Sequence, residues 1–232
     1  MSRRLAERLR TETRLLHAAA ERSALMGTLM RGELDRAIYC ALLRNLHAIY
    51  AALEPALQHH AHKPVVAPLL LPGLARRQAL EQDLSTLHGP HWADELALHP
   101  AAVAYVARLR ELDSTQPALL PAHAYVRYLG DLSGGQMLRR VVARIESPAG
   151  KSATAFYEFG DAAQTLALTQ AFCDGLASVA TDVAHEDALV DEVGRAYEAH
   201  RQLFEQLMAG DTPVEAAAPA AAGDQVGSIS PS

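Results

Sequence analysis

Residues 125–140 read Tyr-Val-Arg-Tyr-Leu-Gly-Asp-Leu-Ser-Gly-Gly-Gln-Met-Leu-Arg-Arg, and the rest of the chain has to be arranged around what this stretch does. Its flanks, 121–128 and 137–146, have helical composition and spacing, yet Gly130, Gly134 and Gly135 stand between them. Each glycine costs a helix interior about 1 kcal/mol relative to alanine. Three within one and a half turns call for a use that offsets the cost. Either the helix ends there in a loop and restarts, or it runs on, bent, with one face stripped of side chains so that something flat can lie against its backbone.

Two unrelated uses of the same residues can be tested at once. Leu132 to Gln136 is also the signature pentapeptide of ATP-binding-cassette ATPases, and Gly-Gly-Gln occurs in peptide release factors. A cassette ATPase needs an earlier Walker A loop, whose backbone amides and lysine hold the phosphates. The one near fit, Gly150-Lys151-Ser152, follows the signature and has Ile145 where the first glycine of that loop belongs. A release factor works on RNA and carries a basic surface. This chain has a net charge of -6.

Half of the 232 residues are hydrophobic, enough for the core of one domain. The acidity argues against nucleic acid or an anionic membrane as the main partner. Cys40 and Cys173 have no second cysteine near them, so they offer neither a disulfide framework nor a zinc pattern, and a reducing cytoplasm suits them. The N-terminus lacks the apolar core of a secretory signal, and no run is long enough to span a bilayer. The sequence therefore reads as a soluble cytoplasmic monomer.

Leu5, Leu9, Thr13, Leu16 and Ala20 recur at helical spacing and predict an amphipathic helix over 3–22. Arg10, Arg14 and His17 follow an i, i+4, i+7 pattern that stacks two cations beside one imidazole. Asp35 caps a second predicted helix that runs to about 60, with Pro55 as a candidate kink. Residues 63–73, with three prolines, read as a linker. Further helices are expected over 74–87, 100–114, from 117 or 121 through the glycines, 162–179 and 187–208. Strand signals are nearly absent, so the fold class is all-α, with one domain over 1–210. Residues 211–232, rich in Ala, Pro, Gly and Ser, read as a disordered tail.

With these residues in view, the chain resembles heme oxygenase. The similarity covers about 4–208 and is carried by 9–21, 50–53, 79–84, 122–138 and 202–205. Its most specific part is Ala-His-Ala-Tyr-Val-Arg-Tyr-Leu-Gly-Asp-Leu-Ser-Gly-Gly-Gln at 122–136. The resemblance implies a helical bundle that holds haem between a proximal N-terminal helix and a glycine-kinked distal helix. It implies cleavage of haem by dioxygen to biliverdin, usually the α isomer, with carbon monoxide and ferrous iron, on electrons from a ferredoxin or a reductase. His17 matches the axial iron ligand, a modest donor beside a thiolate, and Glu21 one turn on could orient its ring. Gly130 and Gly134 match the glycines that leave room for dioxygen. Asp131 matches the distal acid, which holds water for proton delivery, with Tyr50 and Arg127 in support. Tyr125, Gly135 and Phe204 are expected at the haem as well.

The chain departs from the family pattern at two places. Where relatives carry bases for the haem propionates on the sixth predicted helix, this chain has Thr169 and Cys173, which leaves anchoring either to Arg10 and Arg14 or to basic residues elsewhere in the chain. His200 replaces the usual distal asparagine, either as a water holder, the favoured reading, or as a second axial ligand. Arg139, Arg140 and Arg144 form a basic face suited to an acidic electron donor. His59, His60 and His62 have no carboxylate or cysteine beside them in sequence and read as a solvated helix end.

Overall fold

The apolar repeats of the sequence become helices almost throughout, as seen in a computed structural model whose described residues are 2–210. The segment 211–232 lies outside the described residues. Helices α1 (Ser2–Glu12) and α2 (Arg14–Glu21) share the span expected of one helix. They part at Thr13, whose buried hydroxyl donates to Leu9 O at 2.5 Å. Backbone bonds from Thr13 N to Leu9 O and from His17 N to Thr13 O carry the ladder across the break. Helix α3 (Ala24–Met30), capped by Ser23, has no counterpart in the sequence reading.

Helix α4 (Arg36–His59) starts at an Asp35 cap and continues through Pro55. Helix α5 (Arg77–Leu87) follows the proline-rich linker, and the single turn α6 (Trp92–Glu95) precedes α7 (Pro100–Thr115), which has Pro100 in its first turn. Next come α8 (Leu120–Ala124), a π-helical turn at Tyr125–Leu129 and α9 (Gly130–Val142). Helix α10 (Ala162–Ser178) opens on an Asp161–Gln164 capping box. Helix α11 (Val183–Ala209) is capped by Asp182 and ends at a left-handed Gly210. No strand occurs among the described residues, only one isolated bridge between Glu146 and Ser152.

The glycine stretch is therefore not a loop. Gly130, Gly134 and Gly135 are α-helical, and none of them has a positive φ. What departs from α geometry is the π turn just before them. Wide i→i+5 turns of this kind occur mostly at functional sites.

Packing explains which helices are fixed. Helix α4 runs against α5 and α7, and α11 against α7 and α8. Tyr39, Leu43, Ile49, Tyr50 and Leu53 of α4 are fully enclosed, and each such side chain contributes roughly 1.5–3 kcal/mol of burial. Helix α2 has no buried residue: Leu16, expected on the buried stripe, is 37% exposed, and Leu15 is 72% exposed. The inner face of α2, with His17, Ala20 and Glu21, overlooks a cleft instead of the core.

The loop between α9 and α10 is strapped down by two side chains. Asp83 accepts from Ala155 N and Phe156 N, each at 2.9 Å. The Arg76 guanidinium donates to the carbonyls of Gly73, Leu74, Phe156 and Glu158 at 2.8–3.3 Å. These bonds hold Phe156 and Tyr157 at the edge of the cleft.

Candidate active site

A cleft of about 450 Å³ opens between α2 on one side and α9 on the other, with α3, α4 and α11 closing its ends. His17 of α2 lines it with a side chain 48% exposed and with Nδ1 3.5 Å from a Glu21 carboxylate oxygen. Its ring meets Tyr197 edge-on, 5.9 Å between centroids and 88° between planes. A carboxylate beside Nδ1 favours the tautomer that leaves the Nε2 lone pair free to bind a metal ion.

Across the cleft lie Gly130 and Gly134, which their four-residue spacing places on one helix face. A Cβ at Gly130 would meet nothing within 4 Å, and one at Gly134 would meet only the Leu138 side chain, with Cδ1 nearest at 3.2 Å. Gly135 points elsewhere. Its Cβ would lie 3.6 Å from Tyr157 O and 3.8 Å from the Phe159 ring, so it is a packing glycine and not a lining one.

Behind the glycines sits a buried polar cluster. Arg127 Nη2 donates to both Asp131 oxygens, at 2.8 and 3.0 Å, and the Tyr50 hydroxyl donates to Asp131 Oδ2. Burial pushes the Asp131 carboxyl upward from its usual range, against the pull of Arg127 and Tyr50. Every bond it makes here is an accepted one, which suits the carboxylate form. Arg127 Nη1 lies 2.8 Å from His200 Nε2, and His200 Nδ1 lies 2.9 Å from Ala196 O. Because Ala196 O can only accept, Nδ1 carries the proton and Nε2 accepts from Arg127. Burial and the Arg127 charge push His200 down to about 3, so its ring is neutral. Of the two roles expected of His200, a ligand on iron would need the lone pair that Arg127 takes. Arg127, which lines the cleft, keeps one buried donor, Nε, without a partner among the described residues.

A smaller cavity of about 210 Å³ adjoins the cleft through His17 and Gly130. Arg10, Thr13, Arg14 and Tyr125 line it. Helix α10 carries no lysine or arginine, and the Thr169 hydroxyl is turned back to Thr165 O at 2.7 Å. Phe204 lines the main cleft. Of the basic face on α9 and beyond it, Arg139 pairs with Glu158 at 3.1 Å, and with Arg140 it borders a second cavity of about 540 Å³ that shares Tyr157 with the cleft and contains neither His17 nor Asp131.

Sequence reasoning missed the aromatic support. Tyr197 was only part of an apolar repeat, yet Tyr197, His200 and Phe204 are spaced i, i+3, i+7 and share the face that closes the cleft. Met26 and Met30 of α3 also line it and had no signal of their own, because that helix was not expected.

The comparisons with known proteins show the family. The family model described as heme oxygenase matches residues 3–206. Heme oxygenase 1 of Nostoc sp. is 37% identical over 207 residues, covering 89% of this chain and 87% of that protein. Human heme oxygenase 1 is 35% identical over 209 residues, covering 89% and 73%. Among solved structures, heme oxygenase-1 of Synechocystis in complex with heme has a TM-score of 0.81 at 33% identity, covering 89% of this chain and 93% of that one. The heme oxygenase of Leptospira interrogans has a TM-score of 0.81 at 34% identity, covering 89% and 100%. This chain belongs to the heme oxygenase family.

Proposed function

We propose that this heme oxygenase holds haem in the cleft between α2 and α9 with His17 as the axial ligand of iron. The activity of the family is the opening of the haem ring to biliverdin, carbon monoxide and ferrous iron. The observation that carries the residue assignment is the opposition of His17 to Gly130 and Gly134, with the Asp131 carboxylate buried directly behind those glycines. The residues fit the group: one imidazole is free on one wall, and the other wall accepts a flat ring without a Cβ in its way.

When bound, haem supplies both the iron at which dioxygen is reduced and the carbon skeleton that is oxidised. The chain supplies position and protons. Glu21 and Tyr197 hold the His17 ring from two directions. Gly130 and Gly134 leave room for a diatomic gas and let backbone approach it closely. Asp131 and the free Nε of Arg127 hold water at the edge of that space, so that a proton reaches the oxygen from water instead of from the acid itself. His200, accepting from Arg127, keeps the guanidinium aligned on Asp131. Arg10 and Arg14 take the propionates at the mouth.

Electrons come from an external donor, a ferredoxin or flavoprotein reductase, for which Arg140 and Arg144 offer the basic charge that Arg139 spends on Glu158. No helix among the described residues is long and apolar enough to cross a membrane.

The test is His17→Ala. Hemin titration followed at the Soret band should show weaker binding, turnover under reductant and air should fall, and added imidazole should restore part of it. A variant with the parent's ferrous-CO spectrum and full biliverdin yield would place the ligand on another residue.

A further inference from the structure

We infer that His59, His60 and Asp113 form a binding site for one borderline divalent cation, of the Zn²⁺ or Ni²⁺ class, at the end of the bundle where α4 and α7 both terminate. The sequence offered no carboxylate beside these histidines, but the fold brings one from α7. His59 Nδ1 and His60 Nε2 lie 3.1 and 2.9 Å from the same oxygen, Asp113 Oδ1. All three ligand atoms fall within 4.8 Å of one another. Two nitrogens and one carboxylate oxygen are a donor set that this class of ion prefers.

The directions also match. An imidazole N–H and an imidazole lone pair lie along the same line, so rings that now aim at Asp113 Oδ1 need only turn toward a point between themselves and that oxygen to face an ion. Ligands at about 2.0–2.1 Å around a tetrahedral ion stand roughly 3.3 Å apart. The His59 and His60 nitrogens stand 3.1 and 2.9 Å from Asp113 Oδ1, a few tenths of an ångström short of that, and a rotation of the exposed His59 side chain, 70% accessible, opens the first of these. His60 is the C-cap of α4, and Asp113 lies in the last turn of α7. Two helix C-termini, each carrying partial negative charge, therefore converge on the place the cation takes. The exposed His62, whose ring centroid is 6.4 Å from that of His60, or water completes the shell.

This site is remote from His17 in the fold and does not depend on the haem reading. The experiment is calorimetric titration of Zn²⁺ into the full chain carrying no histidine tag, compared with His59→Ala, Asp113→Asn and, as a control, His17→Ala. The expected result is one equivalent per chain for the parent and the control, with affinity at least about tenfold lower in the other two. Zn²⁺ should also raise the melting temperature of the parent and not of His59→Ala, a variant whose exposed position leaves the fold intact. Absence of binding to the parent, or unchanged affinity in both site variants, overturns the inference and leaves these residues as a hydrogen-bonded clamp between the two helices.

Discussion

The role proposed for Asp131 rests on a carboxylate that is almost enclosed and reaches only the cleft. Its oxygens accept from Arg127 and Tyr50, so replacing it with alanine would strand a buried guanidinium, a change that typically costs 3–5 kcal/mol. Asp131→Asn is the cleaner variant, because it keeps the shape and one acceptor while removing the carboxylate charge. We expect it to bind hemin as the parent does and to form biliverdin at least about 100-fold more slowly, the usual weight of a positioned acid or base. Pigment formation followed by absorbance decides this, and turnover at the parent rate would remove Asp131 from proton delivery. At this scale the sequence was readable where helical phase was used. Gly130 and Gly134 share a face by spacing, whereas Gly135, about 100° further round, turns to Tyr157 and Phe159. Grouping the three glycines together ignored that rotation.

Among the elements, those with a local start signal were legible. The Asp35 cap, the Asp161–Gln164 box and Pro100 each fix a helix beginning through residues adjacent in sequence. Helix α3 escaped because seven residues with Gly27 among them give no lasting period. The π turn escaped because its register is set by what Arg127 and Asp131 reach in the core, which no local propensity encodes. The glycine face of α9 yields a prediction of opposite signs. In the haem-free protein a methyl at Gly130 meets nothing within 4 Å, so Gly130→Ala should gain about 1 kcal/mol of helix propensity. For a chain of this size that raises the melting temperature by about 2–4 °C. The same methyl enters the cleft, so hemin affinity and biliverdin yield should fall. Gly135→Ala should change neither, and a matching loss of activity in both variants would mean that the whole segment, not one face, sets the cleft.

At the scale of the whole molecule, the cleft exists only because α2, α4, α9 and α11 meet, and the charge states inside it follow from that meeting. A reading of separate helices could name His17 and Asp131 but could not show that burial lowers His47, His123 and His200 below the usual histidine value. His200 is the most perturbed of the three. Arg127 on the π turn bonds it, Tyr105 of α7 packs edge-on to it at 5.1 Å, and burial together with the Arg127 charge holds it at about 3. Its folded value thus lies below the roughly 6.5 of an unfolded histidine. As pH falls, the unfolded chain takes up this proton first, so the contribution to stability is fully present above about 6.5 and is lost progressively toward 3. Its slope is about 1.4 kcal/mol per pH unit. Glu54, Asp83 and Asp131, raised by burial, act in the opposite sense just above the ordinary carboxylate range, so the comparison must isolate the imidazole. His200→Asn does so, because its amide oxygen can still accept from Arg127 while nothing titrates. In urea unfolding at pH 7.5 and 5.5, the parent should lose about 1.4 kcal/mol more than His200→Asn. Equal losses in the two proteins would show that His200 is not held neutral, and would break the link from its lone pair through Arg127 to Asp131.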